Sequence, residues 1–189
     1  MRRLIVAAVL CLVSALSCYA DADNGRDGHR HDEHNVLKLY DAQGKVVGRL
    51  ASYGGYDGVF LTIDNAIVFA RITWLNTNFS DYYSSKFQWL TYGPFNYSNT
   101  DCSGTPIISP GSGPRPSIAM RTGADVTLYI AGDTNSSPAQ IVATFDGTTC
   151  APPPVIGHVP PSTAPVPAFT AESNYSLTAH YPEPLTIGF

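Results

Sequence analysis

The sequence predicts an all-β protein: an antiparallel β-sandwich or barrel built from hairpins, with a Pro-rich C-terminal segment. Three observations predict it. Runs of valine, isoleucine, phenylalanine and threonine recur at strand length through residues 36–150, and these are the residue types that pack well on a pleated surface. Gly, Pro, Asn, Asp and Ser separate the runs, as tight turns require. No window of about eleven residues or more keeps a helical period without a Gly or Pro break.

Residues 1–20 read as a secretory signal peptide. Arg2 and Arg3 give a positive start, Leu4 to Leu16 is an apolar run, and Cys18 and Ala20 precede a cleavage site after Ala20. The run falls short of the roughly 20 apolar residues of a membrane span, and no later segment approaches that length. No membrane span is expected. The stretch "ALSC", residues 15–18, supplies a second reading. It resembles a bacterial lipobox, in which Cys18 would carry a lipid anchor, although Ala15 and Leu16 depart from the usual pattern. The expected location is secreted or periplasmic in a bacterium, with attachment through Cys18 as the alternative.

Residues 21–35, "DADNGRDGHRHDEHN", are polar throughout and predict a flexible leader, because nothing in them can bury apolar area against the entropy of ordering. The β-domain spans residues 36–150. "VLKLY" and "KVVGRL" flank "DAQG", a hairpin with Asp41 at the turn start and Gly44 in a left-handed position. "GVFLTID" and "AIVFARITWL" flank Asp64 and Asn65, both tolerant of positive φ. "KFQWLTY", "FNYS", "PIIS", "SIAMRT", "DVTLYIAG" and "QIVATFDG" continue at strand length. Residues 75–86, "LNTNFSDYYSSK", form the longest unassigned connection, with room for one helical turn. From residue 151 to 189 the chain is rich in proline, which favours extended polyproline geometry and cannot join a central strand. Within it "SNYSLTAHY" reads as one more strand, and Leu185, Ile187 and Phe189 suggest that this tail docks on the domain.

The formal net charge is −4, and cleavage after Ala20 would remove Arg2 and Arg3 without removing an acid. A chain this acidic, without a basic run, offers no positive surface for nucleic acid. Cys102 and Cys150 are the even pair left after cleavage, and in an oxidising compartment they read as a disulfide. It would close a loop of about 50 residues, worth about 4 kcal/mol by the chain-entropy account.

The densest chemistry is "HRHDEH". His29, His31 and His34 could ligate zinc or copper, with Asp32 or Glu33 assisting. The run approximates the H-x-H-x-D-H motif of the metallo-β-lactamase family, with Glu33 where that family has aspartate. Its place before the first strand departs from that family, because a catalytic zinc needs pre-oriented ligands in a shaped cavity. Loose, adventitious metal capture is the most this leader predicts, and no cofactor is expected. The body's aspartates, Asp41, Asp57, Asp64, Asp81, Asp101, Asp125, Asp133 and Asp146, sit in turn sequences where Asp makes local hydrogen bonds. No nucleophile motif, P-loop or dinucleotide glycine pattern occurs.

Residues 74–97 concentrate aromatic side chains: Trp74, Phe79, Tyr82, Tyr83, Phe87, Trp89, Tyr92, Phe95 and Tyr97. Alternating core residues account for most such stretches in β-domains. A sharper reading selects Tyr82, Tyr83, Trp89 and Tyr92 as a surface for stacking on a glycan or a protein partner. Tyr82 and Tyr83 are adjacent, so both cannot face one core.

The set "YDAQGKVVGRL", "GVFLTIDNAIVF" and "YSNTDCSGTP" resembles small secreted bacterial β-rich proteins of uncharacterised function that share a D-x-x-G-K-x-V-G hairpin and a D-C-x-G turn. The resemblance covers about half of the mature chain. It implies export and a β-rich fold, and it carries no catalytic residue. The expected function is an exported, non-enzymatic β-domain acting as an interaction or surface-associated module. A carbohydrate-binding or adhesin-like module is the second reading, and a hydrolase built on turn aspartates the third.

Overall fold

The computed structural model describes residues 36–78, 81–154 and 164–189. The signal peptide, Cys18 and the leader with His29, His31 and His34 lie outside the described residues. The first strands are β1 (Lys38–Tyr40), β2 (Val46–Tyr53), β3 (Tyr56–Ile63), β4 (Ala66–Asn78) and β5 (Asp81–Trp89). Then come β6 (Phe95–Tyr97), β7 (Ser117–Thr122), β8 (Asp125–Ala131), β9 (Ser137–Ala139) and β10 (Ala143–Phe145). The last are β11 (Cys150–Ala151), β12 (Val166–Ala168), β13 (Ala171–Ser176) and β14 (Thr186–Gly188), with the short helix α1 (Leu177–His180) between β13 and β14.

The predicted all-β, antiparallel fold is present. Six strands form one sheet in the order β14-β1-β2-β3-β4-β5. Its two edges meet, because Phe87 in β5 and Leu185, just before β14, exchange both backbone hydrogen bonds at 2.8 Å. The sheet is thereby a nearly closed barrel, the arrangement that leaves few unpaired edges. Strand β3 shows the alternation that drives it. Val59, Leu61 and Ile63 point inward and are buried, while Phe60 and Thr62 are exposed.

Local turn chemistry fixes the register. Asp41 Oδ1 accepts hydrogen bonds from the N–H groups of Gln43 and Lys45, each at 2.9 Å. Gly44 takes φ +77° in the same turn. Between β3 and β4, Asp64 and Asn65 have φ of 48° and 64°, the left-handed pair that a two-residue hairpin needs. Gly58 permits the tight curvature of β3 on β4. A Cβ there would lie 2.2 Å from the Ala70 carbonyl oxygen, a distance no side chain tolerates.

A second sheet, β13-β8-β7, packs into the same core. Val126, Leu128 and Ile130 of β8 join Leu39, Val59, Val68, Trp89 and Leu185 in one buried cluster. Helix α1 adds Leu177, which is buried in the same cluster. Ser176 caps the helix by accepting from Ala179 N–H at 3.2 Å. Two small sheets, β11-β10-β6 and β12-β9, complete the architecture. The predicted Cys102–Cys150 disulfide is present, with Cα atoms 5.8 Å apart. It ties the turn after β6 to the start of β11.

Three segments depart from the sequence reading. Among the described residues of 75–86 there is no helical turn; 75–78 belong to β4 and 81–86 to β5, paired with each other. "SNYSLTAHY" begins as strand β13 but turns into α1 at Leu177, because the Ser176 cap starts a helix where the apolar pattern alone suggests a strand. "PIIS" forms no strand, and Ile108 makes only an isolated bridge to Phe169.

Candidate functional site

Strand β3 pairs with β4 only over Ala66–Arg71. From Ile72 onward, β4 has β5 as its partner in the sheet. The two strands therefore run on as a two-stranded arm, and β5 is exposed through residues 81–86. Register shifts interrupt the arm between Trp74 and Asn76 and between Asn76 and Asn78. Polar cross-strand bonds hold it: Gln88 Nε2 donates to Asn76 Oδ1 at 3.1 Å, and Asn78 Nδ2 to Asp81 Oδ2 at 2.6 Å.

The arm carries two of the four predicted stacking residues. Tyr82 is 59% exposed and Tyr83 44%. The Lys86 ammonium sits 5.0 Å from the Tyr83 ring centroid. Trp74, which the sequence reading left outside the selected set, is 54% exposed and lies stacked on Phe87 with 6.1 Å between centroids. Its position four residues before the end of a strand longer than its inner partner is the signal that would have found it.

Trp89 does not belong to this surface. It is 1% exposed, because β5 has re-entered the barrel by that point and turns the indole into the core opposite Ile72. Its Nε1–H donates to the Tyr181 carbonyl at 3.2 Å. Tyr92 falls in a different group from Tyr82 and Tyr83. Its ring meets Tyr56 edge-on at 5.5 Å. The Arg71 guanidinium lies over both, 4.4 Å from the Tyr56 centroid and 5.4 Å from that of Tyr92. Burial and the Tyr56 hydrogen bond push the Tyr92 hydroxyl up to about 12, so it is a neutral phenol near pH 7.

Beside this group lies a cavity of about 250 Å³, with Arg71 and Tyr92 on one wall and Ser112, Ser117, Ile118 and Leu128 among the others. A larger cavity of about 580 Å³ is lined by Asp64, Asp133, Glu172 and Arg115. A glycosidase would need a carboxyl group there held protonated by an apolar pocket. Asp133, 3.4 Å from Arg115, is 95% exposed at its side chain, which leaves it solvated. The remaining aspartates follow the turn reading. Asp146 Oδ1 accepts from Thr149 N–H at 2.7 Å and from Thr148 N–H and Oγ1 at 2.8 Å. The Thr149 and Thr148 bonds hold its carboxyl below the usual range. Bonds from Ser103 do the same for Asp101.

Among the described residues, no cluster of three or more His, Cys, Asp and Glu is placed to hold a metal ion. His180 stacks on Tyr175 with 4.1 Å between centroids. No described helix is long and apolar enough to cross a membrane. No family model, no curated protein and no solved structure matches this chain.

Proposed function

We propose that this protein is an exported, non-enzymatic β-domain that works as an interaction module, with the β4–β5 arm as its contact surface. The observation that carries the reading is the exposure of Trp74, Tyr82 and Tyr83 on strands that have outrun the barrel. Tyrosine and tryptophan supply large contact area at low entropic cost and dominate interface energetics. The partners of these rings are local, Phe87 for Trp74 and Lys86 for Tyr83, and each ring keeps about half its surface in water. The signal-peptide pattern of residues 1–20 supports export. The disulfide fits an oxidising compartment. The resemblance to small secreted bacterial proteins points the same way.

A site-specific test uses a photo-crosslinking amino acid at Tyr82 in cells that export the full chain. A discrete cross-linked species is expected there and not at Thr62, an exposed position on the barrel wall. Equal labelling at both positions would remove the arm as the contact surface. The stacked, half-exposed Trp74 face favours a second reading, carbohydrate binding, since such faces pack on sugar rings. A glycan array separates the two. Binding that Trp74→Ala abolishes establishes the sugar reading, and a blank array leaves a protein partner.

A further inference from the structure

The cavity beside Arg71 has the chemistry of a ligand site, and nothing in the interaction reading uses it. Arg71 is the only charged residue in its lining. The guanidinium has five N–H donors in a planar fork. Within the protein, Nη2 reaches the Ser112 carbonyl at 3.4 Å. Among the described residues no carboxylate is paired with it. Tyr56 and Tyr92 hold the guanidinium from the ring side, which fixes its orientation without neutralising it. The charge is half-buried and its counter-ion is missing from the fold.

A second, independent observation comes from another residue of the lining. Ser117, at the start of β7, lines the same cavity and is 5% exposed. Its Oγ is buried and has no hydrogen-bond partner in the protein. Buried hydroxyls are normally satisfied, and leaving one without a partner costs the full desolvation of the group. Its neighbour Ser112 is already engaged, since Ser112 Oγ accepts from the Ser117 N–H at 2.8 Å. The Ser117 hydroxyl is therefore a donor and acceptor that a guest can engage once the side chain turns about χ1 toward the cavity. Phe69, Leu90, Ile118 and Leu128 give the cavity apolar wall, and Ser109 adds a further polar residue to the lining.

We propose that this cavity binds a small hydroxylated monocarboxylate, its carboxylate on Arg71 and a hydroxyl on Ser117. One fixed cation matches one anionic charge, and the guanidinium fork matches a carboxylate in two-point geometry. The Tyr92 ring in the lining suits a compact ring or short chain. A volume of about 250 Å³ falls below the roughly 300–1,000 Å³ of pockets for drug-sized ligands, which limits the guest to monosaccharide size. A uronic acid meets all of these conditions, either free or as the acidic residue of a polysaccharide. The site does not depend on the arm, so either proposal can fail alone.

The test is a titration of the mature full-length protein, followed by amide chemical shifts and by calorimetry. The probes are glucuronate, glucose and a short galacturonic-acid oligomer. Saturable binding of glucuronate is expected, with shifts confined to the Arg71, Ser112 and Ser117 region, and at least tenfold weaker binding of glucose. Arg71→Lys should weaken glucuronate at least tenfold, and Ser117→Ala several-fold, with Thr62→Ala, on the exposed barrel wall, as an unaffected control. The oligomer distinguishes the sources: tighter binding than the monomer identifies a polysaccharide, and equal or weaker binding identifies a free acid. Absence of binding by both acids overturns the proposal. So do shifts located elsewhere in the wild-type protein, a readout that does not depend on any variant folding.

Discussion

At the scale of single residues, hydrogen-bond geometry and close approach make the sharpest statements. Asp146 is fully exposed, yet three donors from Thr148 and Thr149 favour its charged form. Its folded pKa is therefore depressed below the ordinary aspartate value of 3.8. The stabilisation it gives is present above the ordinary carboxylate range and is lost as pH falls through the depressed value. A carboxyl-carbon NMR titration should place the Asp146 midpoint below 3.8, and a midpoint at or above it would contradict the turn geometry. Gly58 makes the steric statement. Alanine there would set a Cβ 2.2 Å from the Ala70 carbonyl oxygen, against backbone that cannot swing aside as a side chain can. Gly58→Ala should cost about 3 kcal/mol, at the upper end of overpacking penalties. The urea midpoint should fall with an unchanged slope. These sites differ in how far the sequence exposes them. Asp41, Gly44, Asp64 and Asn65 are legible because their chemistry is local to four or five residues. Gly58 reads as an ordinary strand glycine until β4 is laid beside it.

At the scale of elements, legibility follows the range of the interactions. Strands β3 and β8 carry their own alternation, and the hairpins that join them to β2, β4 and β7 close over short turns. The arm does not announce itself, because residues 75–86 are held by cross-strand bonds such as Gln88 to Asn76 rather than by an apolar pattern. The same dependence explains Trp89. Composition shows an aromatic stretch, but only the register of β5 on β4 decides that Tyr82 and Tyr83 face water while Trp89 faces the core. The disulfide was legible by count, since two cysteines in the body leave one pairing. Its consequence is confined to particular elements. Cys102 follows β6 and Cys150 opens β11, so the bridge staples the β11-β10-β6 sheet, whose buried members are Phe95, Tyr97 and Ala143. Replacing both cysteines with serine should lower stability by up to about 4 kcal/mol. Chemical denaturation of the wild type with and without dithiothreitol should show a gap of the same size. An unchanged midpoint under reduction would mean that the small sheet holds without its staple.

At the scale of the whole molecule, the end of the chain is what closes the barrel. Composition assigns residues 151–189 to a Pro-rich tail, and proline density is a poor guide to the residues that follow the prolines. After α1 the chain crosses the open seam between β5 and β1. Leu185 is fully buried and bridges to Phe87, and β14 pairs with β1 from Lys38 to Tyr40. Glu183 clasps the seam from the side. Its Oε1 accepts from Trp89 N–H at 2.6 Å, and its carboxylate takes two bonds from Arg121 at 2.8 and 3.0 Å. Arg121 also donates to the Trp89 carbonyl at 3.2 Å. One carboxylate thus joins the C-terminal segment, β5 and β7. Both side chains are mostly covered, Arg121 at 26% and Glu183 at 16% exposure, so removing the anion strands a cation that water reaches only in part. Glu183→Gln should cost about 2 kcal/mol, less than the loss of a fully buried pair. The pattern of that loss identifies the clasp. Hydrogen exchange should accelerate at Phe87, Trp89 and Leu185, whose amides line the seam, while Leu128 and Ile130 in β8 keep the protection of the global fold. Uniform acceleration across both groups would mean that Glu183 adds to general stability and that the seam does not open as a separate unit.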